Sequence, residues 1–177
     1  MAVSTGHGLS LRAEQILDEA SVLLEQDGPE GLTMRRLAAR IGIRAPSLYK
    51  HFESKERIEH ALVARGLDEL RRAVEHARSQ PVPTASVVAE LTRFARGHPS
   101  LFRLLAERQL VPSLGADARE QALLVLAQGT LELERAGTLT AGEIEQVWSE
   151  GLAAFRPEAV PVPAARRAVV SSVRWPD

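Results

Sequence analysis

The chain of 177 residues reads as an all-α protein: an N-terminal three-helix domain built around a helix-turn-helix, followed by a larger C-terminal helical domain. Three observations predict this. Apolar residues recur at three- and four-residue steps in one stretch after another, which places them on single helix faces. Gly and Pro punctuate those stretches, and Thr33, Ser54 and Thr140 stand where N-caps are needed. Two short helical patterns also lie back to back across a turn at Gly42.

Taken in order, residues 1–9 are small and polar and read as a frayed end. From residue 11 to about 26, Ala13, Ile16, Leu17, Ala20, Leu23 and Leu24 line one helix face, and Asp27-Gly28-Pro29 stops the pattern. Thr33 then caps a short helix, with Leu32 and Leu37 at hydrophobic-staple positions and Leu37, Ala38 and Ile41 facing inward. Gly42 tolerates the positive φ that a tight turn demands. Pro46 suits a first helical position, where its missing N–H is no loss, so the next helix is expected over 46 to about 51 with Leu48 and Phe52 inward.

Ser54 caps a longer pattern carrying Ile58, Ala61, Leu62, Leu67, Leu70, Val74 and Ala77 up to the break Ser79-Gln80-Pro81-Val82-Pro83. This helix exceeds what a small domain needs, so it is expected to link the two parts of the chain mechanically. Residues 86–96 bring Val87, Val88, Leu91, Phe94 and Ala95, and residues 100–110 bring Leu101, Phe102, Leu104 and Leu105, with a loop over 112–115. The stretch 117–136 is apolar on more than one face, the pattern of a helix buried between elements or against another subunit. Thr140 caps a last helix with Ile144, Val147, Trp148, Leu152 and Phe155; residues 156–177 hold four prolines without helical period and read as an extended tail. The expected division is 10–56, 57–155 and 156–177.

Composition narrows the function. Hydrophobic residues at 45% and charged residues at 25% are ordinary for a globular protein. With no cysteine there are no disulfides, thiolate ligands or Cys nucleophiles, which fits a reducing cytoplasm. No secretory leader or apolar span is seen, so the expectation is a cytoplasmic protein without a membrane partner. His7, His51, His60, His76 and His98 do not pair at helical steps, and HExxH, Gly-rich phosphate loops and GxSxG motifs are lacking. Glu56 and His60 stand four apart, a spacing more often solvated than metal-bound. The expectation is no enzyme, no catalytic residue, no metal and no cofactor.

Charge distribution points elsewhere. Net charge is −1, yet between Thr33 and Arg57 seven Lys or Arg (35, 36, 40, 44, 50, 55, 57) face two acids (Glu53 and Glu56), a local excess of five. That balance suits a phosphate-lined surface. The stretch GPEGLTMRRLAARIGIRAPSLYKHFESKERI, with its LYKHF and SKE signatures, closely resembles the N-terminal DNA-binding domain of the tetracycline repressor (TetR) family, and the likeness covers Arg12 to Leu62. Later, GHPSLFRLL and WSEGLAAF resemble one C-terminal subgroup of these repressors, whereas the Pro-rich end departs from the pattern.

The resemblance implies a homodimeric transcriptional regulator, a repressor released from a palindromic operator by a small effector. It implies that the second motif helix enters the major groove of double-stranded DNA, with Arg44, Ala45, Pro46, Ser47, Tyr49 and Lys50 facing it. Arg44 and Lys50 reach guanine edges or phosphates, Ser47 bonds a base or a phosphate, and Ala45 suits a thymine methyl. Thr33, Tyr49 and Lys55 match phosphate-contacting positions, and His51 orients or flanks. It further implies a pocket for a largely apolar effector, with Phe94, His98, Leu101, Phe102, Leu105, Trp148 and Phe155 as candidate lining, and a dimer surface on the last two helices. The competing reading is a helical protein-interaction module whose motif no longer binds DNA; an activator or nucleoid-type binder is the variant within DNA binders.

Overall fold

The computed structural model describes residues 10–154; Phe155 and the Pro-rich tail lie outside the described residues. Eight α-helices run through this part: α1 (Leu11–Gly31), α2 (Met34–Ile41), α3 (Ala45–Tyr49), α4 (Lys55–Arg78), α5 (Pro83–Gly97), α6 (Pro99–Glu107), α7 (Ala118–Arg135) and α8 (Ala141–Ala154). A 3-10 turn, Pro112–Leu114, stands where a loop is expected from the sequence.

The predicted caps do what their chemistry suggests. The Thr33 hydroxyl accepts from Arg36 N at 3.3 Å and the Ser54 hydroxyl from Arg57 N at 3.4 Å. Thr140 and Glu143 form a reciprocal box, Thr140 N donating to Glu143 at 2.8 Å while Glu143 N donates to the Thr140 hydroxyl at 3.3 Å. Thr140's N–H and hydroxyl together lower the Glu143 carboxyl below its ordinary value. Gly42 closes α2 at φ 73°, ψ 30°, in the left-handed region that only glycine adopts without strain.

Some boundaries shift. The break predicted at residues 27–29 is a kink at Gly28, φ 70°, after which a last turn of α1 resumes from Pro29. α3 starts one residue earlier than expected and ends at Tyr49, because Pro46 takes the second position of the helix. α5 begins at Pro83, which opens this helix where a break is expected, and α6 begins at Pro99 and stops at Glu107. In both cases a proline fits a helix's first turn, where its missing N–H costs nothing.

All six predicted α1 residues are buried, as are the five predicted on α5 and the four on α6. One continuous apolar cluster runs from Ala13 through Leu48, Ile58, Leu91 and Leu105 to Leu131. α4 is its axis: it packs against α1, α5 and α6, and α1 itself touches α6. Leu101 lies so close to Gly66 of α4 that a Cβ there would stand 2.7 Å from Leu101 Cδ2. Arg65 pairs with Asp18 at 2.5 Å, tying α4 to α1. α7 packs on α5, and α8 rests on α7 through a small contact.

Candidate nucleic-acid interface

The seven cations of the motif do not all face outward. Arg36 on α2 donates to Asp27 at 2.6 Å and to Gly31 O at 3.0 Å, and Arg40 donates to Glu19 at 2.7 Å and Gln26 at 3.1 Å. Both therefore staple α2 to α1. Lys55 Nζ donates to Pro29 O at 2.7 Å and lies 3.3 Å from Glu59, and Arg57 lies 3.7 Å from Glu53. Arg35, Arg44 and Lys50 remain, all exposed and making no hydrogen bond or ion pair among the described residues. The local positive excess thus separates into holding and presenting charges.

α3 presents a compact set. Arg44, Pro46, Ser47, Tyr49, Lys50 and His51 are exposed, while Leu48 is fully buried and Phe52 is buried behind it. Tyr49 keeps half of its surface in solvent, unusual for a large aromatic side chain. Ala45 is the exception in the predicted set, since it is half-buried and packs against the core. Thr33 is exposed with its hydroxyl engaged as an N-cap. Arg35 enters the charge count but not the candidate contact residues, because sequence does not reveal which of two adjacent arginines is held by Asp27.

No group of three or more potential ligands occurs among the described residues. The Ser54 hydroxyl, and after it the backbone N–H, lowers the Glu56 carboxyl below its ordinary value against a slight opposing burial effect, with Lys55 and His60 adding to the shift.

Farther from α3, the predicted effector residues divide. Phe94, Leu101 and Leu105 are in the core, and His98 lies half-buried with its ring 5.1 Å from that of Phe94. Trp148 is half-buried against the core, and Phe155 lies outside the described residues. Phe102 alone of the set borders a described cavity, of about 200 Å³, with Ala95, Pro99, Leu131 and Arg135. A second cavity of about 230 Å³ opens between α4, α5 and α7, walled by Val87, Val88 and Leu123 and by Arg78, Asp117 and Glu120. There Arg78 grips Glu120 through Nη2 at 2.8 Å and Nε at 3.1 Å, and also donates to Leu114 O. Burial pushes the Glu120 carboxyl up, but Arg78 and the Ala116 N–H outweigh it and hold the carboxyl below its ordinary value. The Glu120 partner in turn raises Arg78. Sequence periodicity marks such residues only as inward or outward and does not separate cavity wall from core.

Among the described residues the regular elements are helical, and α2 and α3 meet across the turn at Gly42 with the unpaired Arg44 and Lys50 flanking α3, which is the arrangement of a helix-turn-helix. Residues 16–62 match the family described as bacterial regulatory proteins, tetR family. The chain is 39% identical over 71 residues to the tetracycline repressor protein class C of Escherichia coli, covering 40% of this chain and 30% of that one. It is 32% identical over 133 residues to an HTH-type transcriptional regulator of Saccharopolyspora erythraea, covering 75% of this chain and 55% of that one. The fold matches a TetR/AcrR-family transcriptional regulator from Thermobifida fusca with a TM-score of 0.57 and 23% identity, over 82% of this chain and 98% of the other. Through its N-terminal unit the chain belongs to the tetR family of bacterial regulatory proteins. It spans about a third to about half of the length of these curated relatives.

Proposed function

We propose that the chain is a DNA-binding transcriptional regulator, a repressor that occupies a palindromic operator as a homodimer in the cytoplasm and leaves it when a small molecule binds. The observation that carries this is the unpaired Arg44 and Lys50 flanking the exposed Ser47 and Tyr49 on α3, which the buried Leu48 and Phe52 hold in place, with Arg35 unpaired on α2. Such a surface supplies phosphate contacts for register and side chains for base edges. In this reading residues 10–56 bind DNA, with Thr33, Lys55 and His51 at the flanks and Ala45 and Pro46 shaping the helix start, and residues 57–155 bind effector and dimerise.

The dimer surface lies on α7 and α8. Ala122, Val125, Gly129 and Leu133 are exposed on α7 at helical spacing, and Val147 is exposed on α8. A contiguous apolar stripe in water is unfavourable, and a second copy would cover it. Two recognition helices would then enter successive major grooves about 34 Å apart. The cavities at Phe102 and at Arg78–Glu120 are the places for an effector with apolar bulk and one or two polar groups.

Selection of duplexes from a random DNA pool tests the reading. Enrichment of a palindrome bound by two subunits, with affinity falling steeply with salt, is the expected result. Failure to enrich or retard any duplex at low salt overturns it in favour of a helical interaction module.

A further inference from the structure

Lys55 opens α4 at the edge of the proposed DNA surface, yet it is not alone there. One oxygen of Glu59 lies 3.3 Å from Lys55 Nζ, and the other lies 3.8 Å from Nη2 of Arg108, the residue that ends α6. Glu59 is shielded, its side chain 15% exposed, whereas Lys55 and Arg108 keep 29% and 33%. α6 is anchored at its opposite end. Its N-cap His98 offers no side-chain cap, and the free N–H groups of Ser100 and Leu101 donate instead to Glu25 of α1 at 2.9 and 3.0 Å. Leu101 presses on Gly66 one step further on. At the far end Leu104, Leu105 and Ala106 are buried in the core, so Arg108 is carried on a helix end that the packing holds in place.

We propose that Arg108 and Glu59 are positioning residues for Lys55, forming a three-charge relay through which the end of α6 sets how much of the Lys55 charge a DNA phosphate meets. With Arg108 in place the triad carries two positive charges and one negative, so Glu59 is shared and Lys55 retains attraction for phosphate. Without the Arg108 charge, Lys55 and Glu59 are left as a neutral pair, beside the bond that Lys55 already donates to Pro29 O. The field of one charge on another at these separations, partly out of water, is large enough to matter to a single phosphate contact. The relay rests on the DNA-binding reading for its consequence but not for its existence.

Two measurements on the full chain test it. Lys50 and Lys55 are its only lysines, so trace acetylation with acetic anhydride reports Lys55 against Lys50 as an internal standard, without DNA. Arg108→Gln lowers the Lys55 to Lys50 labelling ratio at least twofold, Arg108→Lys restores it, and Glu59→Gln raises it. With the duplex selected above, Arg108→Gln weakens binding about three- to tenfold and makes the salt slope shallower by up to about one phosphate equivalent. In the Glu59→Gln background the Arg108→Gln effect shrinks below twofold. A simple long-range loss of positive charge would appear equally in both backgrounds, and that result, or labelling ratios unchanged across the folded variants, overturns the relay. If wild type binds no duplex, the DNA reading fails while the labelling ratios still decide the relay.

Discussion

Arg36 Nη2 lies 2.6 Å from Asp27 Oδ2, and that contact separates two neighbouring arginines by job. Arg36 holds the start of α2 to the end of α1, while Arg35 beside it stays exposed and unpaired among the described residues. Arg35→Ala is expected to weaken DNA binding and to reduce the magnitude of the salt slope by about one. Arg36→Ala is expected to leave the slope unchanged and to cost under about 1 kcal/mol of stability, since both partners are well solvated. Equal salt slopes for the two variants would remove the distinction.

Glu25 caps a helix to which it does not belong. Removing both acceptors from Ser100 N and Leu101 N by Glu25→Ala should cost about 1–2 kcal/mol, the usual penalty for a lost N-cap, and Glu25→Gln should cost less because one oxygen remains. Urea unfolding gives the difference. Amide exchange at residues 100–101 should rise more than exchange at residues 87–91 in α5, locating the loss at the start of α6.

The Arg78–Glu120 pair makes stability depend on pH in a predictable direction. The folded Glu120 carboxyl titrates below its ordinary value, so its contribution is present above the unfolded pKa of about 4.3 and is lost as pH falls through the lower folded value. Glu120→Gln should therefore be less stable than wild type at pH 7, by about 2 kcal/mol for the lost charged hydrogen bonds, and the gap should narrow below pH 4. Thermal unfolding at a series of pH values checks this; a gap that widens on acidification would contradict it.

Val125 and Leu133 stand exposed on α7 eight residues apart. If a second copy covers them, Val125→Asp with Leu133→Asp should yield monomers by sedimentation with helicity intact, because an unpaired charge buried at an interface is strongly unfavourable. Operator affinity should fall at least a hundredfold as the second half-site is lost. A folded dimer in the double variant would move the interface elsewhere.

The sequence by itself determined the helical class, the capping and turn at Thr33, Gly42, Ser54 and Thr140, and the inward faces of α1, α5 and α6. Those features are local: a hydroxyl reaching an N–H three residues on, a glycine free of Cβ, a repeat of 3.6 residues. The exposed residues of α3 were legible for the same reason, as the complement of Leu48 and Phe52. Only the tertiary structure decided which cations have partners within the fold, since Asp27, Glu19 and Pro29 find Arg36, Arg40 and Lys55 through the packing of α1 against α2 and α4. It also decided that Phe94, Leu101 and Leu105 fill the core while Arg78 and Glu120 line a cavity, and that Glu25 caps α6 from seventy-five residues away. Periodicity records only whether a side chain points inward; what it meets there is set by the elements that arrive from elsewhere in the chain.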